Sequence, residues 1–225
     1  MTKQPVRKIN VPLPAGNTVS GLLLTPAEAR AGYVLAHGAG AGMSHPFMTA
    51  AAEQLADRGI ATLRYQFPYM EHGSRRPDPP QIAHAAVRAA ITEAARQLPL
   101  LPLFAGGKSF GGRMTSQAQA AAPLPDIRGL VFLGFPLHPA KRPSLDRAQH
   151  LANVQVPMLF LQGERDSLAE HDLITRVVAE LGNRATLTNF ADADHSFHVP
   201  ARTGRTDAQV LAEVCDAMAK WMMAC

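Results

Sequence analysis

The residues most suited to chemistry in this chain are Gly107-Lys108-Ser109-Phe110-Gly111, which match G-x-S-x-G. In that pattern a serine sits on a strained turn between a strand and a helix, its hydroxyl exposed above the sheet. Small flanking residues let strand and helix approach closely. The amide after the serine, here the Phe110 N–H, points at the oxyanion that forms when the hydroxyl attacks a carbonyl. Glycine and serine are common turn residues, so the context decides. An apolar run over 100–105 precedes the motif and an alanine-rich segment over 112–121 follows it. Two nucleotide-binding patterns fail on single positions. G-x-x-x-x-G-K-S needs glycine where Pro102 stands, and Gly38-Ala39-Gly40-Ala41-Gly42-Met43 breaks G-x-G-x-x-G at Met43.

A hydroxyl is a poor nucleophile at neutral pH and needs a base. Of nine histidines, His195 lies late in the chain, on the loop after the last expected strand. The order serine, acid, histidine suits such a site. His198 is its competitor. Asp166, at the end of a strand-derived loop between Ser109 and His195, is the expected acid that fixes the imidazole tautomer. Glu164, Asp192 and Asp194 are the alternatives, and each has a plain reading as a solvated carboxylate.

A second oxyanion donor belongs on the first strand–helix loop, His37-Gly38-Ala39-Gly40. Ala39 is the chosen amide, with Gly38 and Gly40 as alternatives. His37, Gly38, Tyr69, Met70 and His138 are candidates to line the substrate cleft. Arg75 or Arg76 is a candidate contact for an anionic substrate, with a solvated loop as the competing reading.

These residues need a scaffold that brings distant loops together. Two strand-like pieces, KINVPL and TVSGLLL, flank Pro14-Ala15-Gly16-Asn17 and predict an opening hairpin. Further strands are expected over 33–36, 60–65, 100–105, 127–132, 156–161 and 185–190. Helices are expected over 46–58, 81–97, 112–121, 172–181 and 206–223, with a polar, proline-rich loop over 68–80. Several strands are continuous apolar runs, which fits a mostly parallel sheet covered on both faces. Ligands bind such sheets beyond the carboxyl ends of the strands. Only the stretch 136–154 could hold a cap, so a minimal cap is expected.

Length and composition bound the rest. The 225 residues suit one domain over 1–225. At 47% hydrophobic the chain is an ordinary globular one, and at 6% aromatic its packing must lean on aliphatic residues. The net charge of +4 is scattered, densest at Lys3 to Lys8, Arg75-Arg76 and Lys141-Arg142, which points to solvated surface and not to nucleic-acid binding. Cys215 and Cys225 lack metal-like spacing and fit free thiols. The N-terminus lacks a secretory pattern and no stretch reaches the ~20 apolar residues of a membrane span. A cytoplasmic protein without membrane contact is the expectation.

Taken together, His37-Gly38-Ala39-Gly40, Tyr65-Gln66-Phe67-Pro68-Tyr69, Gly107-Lys108-Ser109-Phe110-Gly111-Gly112-Arg113-Met114, Gly163-Glu164-Arg165-Asp166 and Asp194-His195-Ser196-Phe197 resemble the small hydrolase-like family related to dienelactone hydrolases. That family includes testis-expressed proteins and a domain of a chromatin-associated acetyltransferase-complex subunit. The resemblance runs from about Tyr33 to Trp221. It implies an α/β-hydrolase fold and a Ser109-Asp166-His195 triad, with the Phe110 and Ala39 amides as oxyanion donors. Dienelactone hydrolases proper use a cysteine where this chain has Ser109. The expected activity is hydrolysis of a small ester or thioester through an acyl-enzyme, with neither cofactor nor metal. A peptidase or amidase with the same triad, and a non-catalytic binding or scaffold protein, are the alternatives.

Overall fold

The computed structural model describes residues 5–14 and 16–225; Lys3 of the first basic cluster and Ala15 of the first turn lie outside them. Strands β1 (Val6–Pro12) and β2 (Thr18–Leu24) form the expected antiparallel hairpin. Then come β3 (Ala31–Ala36), α1 (Pro46–Ala56), β4 (Ile60–Tyr65), α2 (Pro68–Glu71) and α3 (Pro80–Gln97). The second half runs β5 (Leu103–Lys108), α4 (Phe110–Ala121), β6 (Ile127–Leu133), β7 (Met158–Gly163), α5 (His171–Leu181), β8 (Ala185–Phe190) and α6 (Asp207–Ala224).

The strands form an 8-stranded sheet in the order β1-β2-β4-β3-β5-β6-β7-β8. Pairings from β4 through β8 are parallel, and β2 pairs antiparallel with both β1 and β4. Every residue of β3, β4 and β7 is buried, Thr62, Arg64 and Gln162 included, which accounts for their mostly apolar character. One core packs Leu35, Phe104 and Leu161 against Leu55 of α1 and Val214 and Met218 of α6. The opposite core packs Val34, Ala105 and Phe132 against Val87 of α3, Met114 of α4 and Ile174 of α5. The sheet is thus covered on both faces, as expected.

Boundaries depart from the sequence expectation where proline intervenes. β5 starts at Leu103, because Leu98 to Leu101 close a turn, Leu100 is 93% exposed and Pro102 has no N–H to give a ladder. At its other end β5 continues through Gly106 and Gly107 to Lys108. β7 starts at Met158, after Pro157, whose carbonyl accepts from Leu130 N at 2.8 Å. The proline-rich loop contains α2, which Pro68 opens; the Glu71 carboxylate accepts from Ser20 N at 3.0 Å and Ser20 Oγ at 2.8 Å. The presumed cap stretch holds a 3-10 helix, Asp146–Asn153, packed on α4.

Aromatics matter more than their low number suggested. Phe132, Phe135 and Phe160 cluster with ring centroids 4.8–5.7 Å apart. Phe67, Tyr69 and Phe110 form a second group beside the elbow, with centroids 5.3–6.3 Å apart. Cys215 is buried and Cys225 exposed, both as free thiols. Among the described residues no helix is long and apolar enough to cross a membrane.

Candidate active site

The chain passes from β3 to β4 on one side and returns across β3 to β5 on the other. The crevice at that reversal lies between the carboxyl ends of β3 and β5. Ala36 at the end of β3 pairs with Gly107 near the end of β5, so the His37 loop and the Ser109 turn emerge side by side.

The turn at Ser109 is tight for a visible reason. Ser109 has φ 49° and ψ −113°, a left-handed value that a non-glycine residue adopts only under constraint. The constraint comes from both sides. A Cβ on Gly107 would stand 2.2 Å from Ala36 O, and one on Gly111 would stand 2.6 Å from the carbonyl oxygens of Ala36 and His37. Only glycine lets β5 and α4 press this closely against β3. Ser109 N–H donates to Leu133 O at 3.1 Å, which ties the turn to β6 as well. Phe110 is the first residue of α4, so its N–H is one of those a helix leaves without an internal partner.

Ser109 Oγ lies 2.8 Å from His195 Nε2, and His195 Nδ1 lies 2.6 Å from Asp166 Oδ2. With the Nδ1–H donating to the carboxylate, Nε2 is free to accept from the Ser109 hydroxyl. Asp166 is 2% exposed. Its Oδ1 accepts from Leu168 N at 2.8 Å, and its Oδ2 also accepts from Gln162 Nε2. Gln162 is buried and oriented by Phe135 N, which donates to its Oε1 at 2.9 Å. Gln162 lies outside the sequence expectation; the one cue to it is its place as the polar residue at the end of an apolar run in β7.

The alternatives for each role have other contacts. His198 is mostly exposed and pairs with Asp207 at 2.9 Å. Asp194 shapes the loop, its Oδ1 accepting from Ser196 N at 2.7 Å and His198 N at 3.0 Å. Asp192, with φ 58°, lies 3.7 Å from Arg202, and Glu164 is exposed.

Two cavities meet at Ser109. One, of about 390 Å³, is lined by Ala39, Asp78, Phe110, Met114 and Leu168 together with Arg113 and Arg147. The other, of about 510 Å³, is lined by Gly38, Ala39, Phe47, Lys108, His195 and His198 among others. Gly38 thus reaches a cavity, whereas His37, Tyr69, Met70 and His138 line neither. His37 is buried. Phe67 N–H donates to its Nε2 at 3.0 Å, which leaves Nδ1–H to donate to Gly38 O at 2.8 Å; burial lowers its pKa. It braces the loop from behind. The Tyr69 hydroxyl donates to Ala39 O at 2.9 Å, again as a brace. His138 is buried against Glu170 and Pro139 O, behind Leu168, whose carbonyl accepts from its N–H at 3.1 Å. Arg75 and Arg76 are exposed and line neither cavity.

Lys108, the variable position of G-x-S-x-G, links two parts of the site. Its ammonium donates to His195 O and sits 5.9 and 5.6 Å from the ring centroids of Phe47 and Phe197. Burial lowers its pKa from 10.5 to about 8, against the opposing pull of Asp166 and Asp194. Between pH 8 and 10.5 the unfolded chain then binds more protons at this residue than the folded one does. Stability is expected to gain from Lys108 as pH rises through that window, and to lose it as pH falls through about 8. Denaturant melts of wild type and Lys108→Met from pH 7 to 10.5 read this as a difference curve that slopes across the window. A flat difference would contradict it.

Sequence comparison gives the class. Residues 29–223 match the family described as an alpha/beta hydrolase domain. The chain therefore belongs to the α/β-hydrolase domain family, and it is dienelactone hydrolase-like in fold. A dienelactone hydrolase from Anabaena variabilis is similar at TM-score 0.76 and 20% identity, over 99% of this chain and 98% of that one. XC6422 from Xanthomonas campestris, described as an α/β serine hydrolase without lid, is similar at TM-score 0.74 and 20% identity, over 96% and 94%. Est1E from Butyrivibrio proteoclasticus follows at TM-score 0.71 and 15% identity, over 97% and 99%.

Proposed function

We propose that this chain is a serine hydrolase that cleaves small esters or thioesters through an acyl-enzyme at Ser109. The observation that carries this reading is the unbroken hydrogen-bond chain from Ser109 Oγ through His195 to buried Asp166, at 2.8 and 2.6 Å. In the first half-reaction His195 Nε2 takes the Ser109 proton as Oγ bonds to the substrate carbonyl carbon. The carbonyl oxygen becomes an oxyanion held by the amides of Phe110 and Ala39. The bond to the leaving group breaks, and His195 returns the proton to the departing oxygen or sulfur. In the second half-reaction water attacks the acyl carbon with His195 as base, and Ser109 leaves with the proton restored. Asp166 keeps Nδ1 protonated and stabilises the imidazolium throughout.

A binding protein has no need of this chain. The similarity to a serine hydrolase without lid and to proteins described as esterases supports the same reading at the level of fold. A panel of p-nitrophenyl esters of graded chain length tests it, together with a fluorophosphonate probe. Turnover by wild type, with probe labelling at Ser109 that disappears in His195→Ala, is the expected result. An inert wild type that also resists labelling overturns the proposal.

A further inference from the structure

Arg113 lies one helical turn after Ser109 on α4, and residues four apart share a helix face. Its guanidinium therefore rises beside the nucleophile, with Cζ 5.9 Å from the Phe110 ring centroid. Its Nε is buried without a hydrogen-bond partner. Arg147, from the 3-10 helix Asp146–Asn153, lines the same cavity. Among the described residues neither guanidinium has a hydrogen bond or an ion pair. Other arginines of this chain find acceptors within it. Arg64 Nε is also buried without a partner, but its Nη1 donates to Met43 O and Thr49 Oγ1 at 3.0 and 2.8 Å, and Arg58 donates to Asp216, Gln54 and Ala212. A buried donor without an acceptor is costly, and both guanidiniums border the cavity with no acceptor from the protein, so a ligand that supplies one fits them.

The surroundings favour an anion. Burial and the charge of Arg147 both lower the Arg113 pKa, yet an arginine keeps its charge at neutral pH. Nearby His150 is pushed down to about 4 by burial, with Arg113 and His84 adding to the effect, so it is neutral there. Asp78 is the carboxylate lining this cavity, and one of its oxygens already accepts from Tyr69 N at 2.9 Å. Two cations thus face one anion.

The chemistry of Ser109 also says which half of a substrate enters. The leaving oxygen must receive its proton from His195, so the leaving group belongs in the cavity that His195 lines. The acyl group is left for the cavity of Arg113 and Arg147. We propose that Arg113 and Arg147 form a carboxylate-binding subsite, and that the preferred substrates are monoesters of dicarboxylic acids, with the free carboxylate on the acyl chain. This rests on the serine hydrolase reading above.

The test compares the p-nitrophenyl monoester of adipic acid with p-nitrophenyl hexanoate, an acyl chain of equal length that ends in a methyl group. The expected adipate-to-hexanoate ratio of kcat/KM is above ten in wild type and falls at least tenfold in Arg113→Gln and in Arg147→Gln, mostly through KM. Arg128→Gln, exposed at the opposite, amino-terminal end of β6, is the charge control and keeps the ratio. A wild-type ratio near one, or a ratio that survives both substitutions, overturns the subsite while leaving the hydrolase reading intact. If neither ester is cleaved, the ester panel and probe above decide the hydrolase reading, and calorimetry decides the subsite alone. Monomethyl adipate should bind Ser109→Ala and lose at least tenfold in affinity when Arg113→Gln or Arg147→Gln is added. Equal affinity, or no binding to Ser109→Ala, overturns the proposal.

Discussion

Ser109→Ala is expected to lower kcat by roughly 10⁵-fold or more on the best ester, while the melting temperature moves by only about 1–2 °C. The separation follows from what the hydroxyl does. Its partner is His195 Nε2, and although Ser109 is the N-cap of α4 its side chain makes no capping bond. The backbone strain at φ 49° is the same for alanine, because both side chains carry a Cβ. Removing the oxygen thus removes the nucleophile and little else. Residual activity would come from the oxyanion amides and from binding. Single-turnover and steady-state kinetics on the purified variant, beside a thermal melt, are the measurements. Activity within tenfold of wild type would place the chemistry elsewhere.

Asp166→Asn is expected to lower kcat by about 10⁴-fold, and to lower stability as well. Three donors converge on this carboxylate: His195 Nδ1 and Gln162 Nε2 on Oδ2, and Leu168 N on Oδ1. An asparagine must turn its NH₂ toward one of these sides, where donor meets donor. Leaving a buried polar group unpaired costs about 1–3 kcal/mol. Facing His195 with NH₂ also favours the tautomer with Nε2 protonated, which cannot accept from Ser109. Kinetics and urea melts of the same preparation read both losses. Retained activity, or an unchanged melt, would contradict this account of Asp166.

The chemistry-bearing loops were legible because each follows a strand that is an apolar run, and because glycine marks the turns. Ser109, His195 and Asp166 come together across the carboxyl edge of the sheet, from three separate strand ends. Sequence spacing could order them but could not say which of His195 and His198 points inward. The deciding contact, Asp194 gathering the amides of Ser196 and His198, is local geometry with no signature beyond an aspartate. His37, Tyr69 and His138 also follow strand ends, yet they sit behind the residues that line the two cavities. Strand ends supply both the lining and the layer behind it, and burial separates the two.

Boundaries were least legible at Leu100 to Pro102, where an apolar stretch is a turn and Leu100 stands in solvent. The arginines show the converse. Arg75 and Arg76 stand side by side in the sequence, yet they are exposed; Arg113, four residues after Ser109, is placed beside it by the helical repeat of α4. Arg147 comes from a segment whose 3-10 form and docking on α4 no periodicity announced.

The meeting of two hollows at one hydroxyl has an evolutionary corollary. They share Ala39, Ser109 and Leu168, but their outer walls differ: α4, the 3-10 segment and Pro77 to Pro80 on one side, the entry to α1 and the histidine loop on the other. On the proposed assignment of acyl and leaving groups, drift in one outer wall would retune what is transferred while sparing what departs, so a lineage built on this frame could explore acid and alcohol preferences independently.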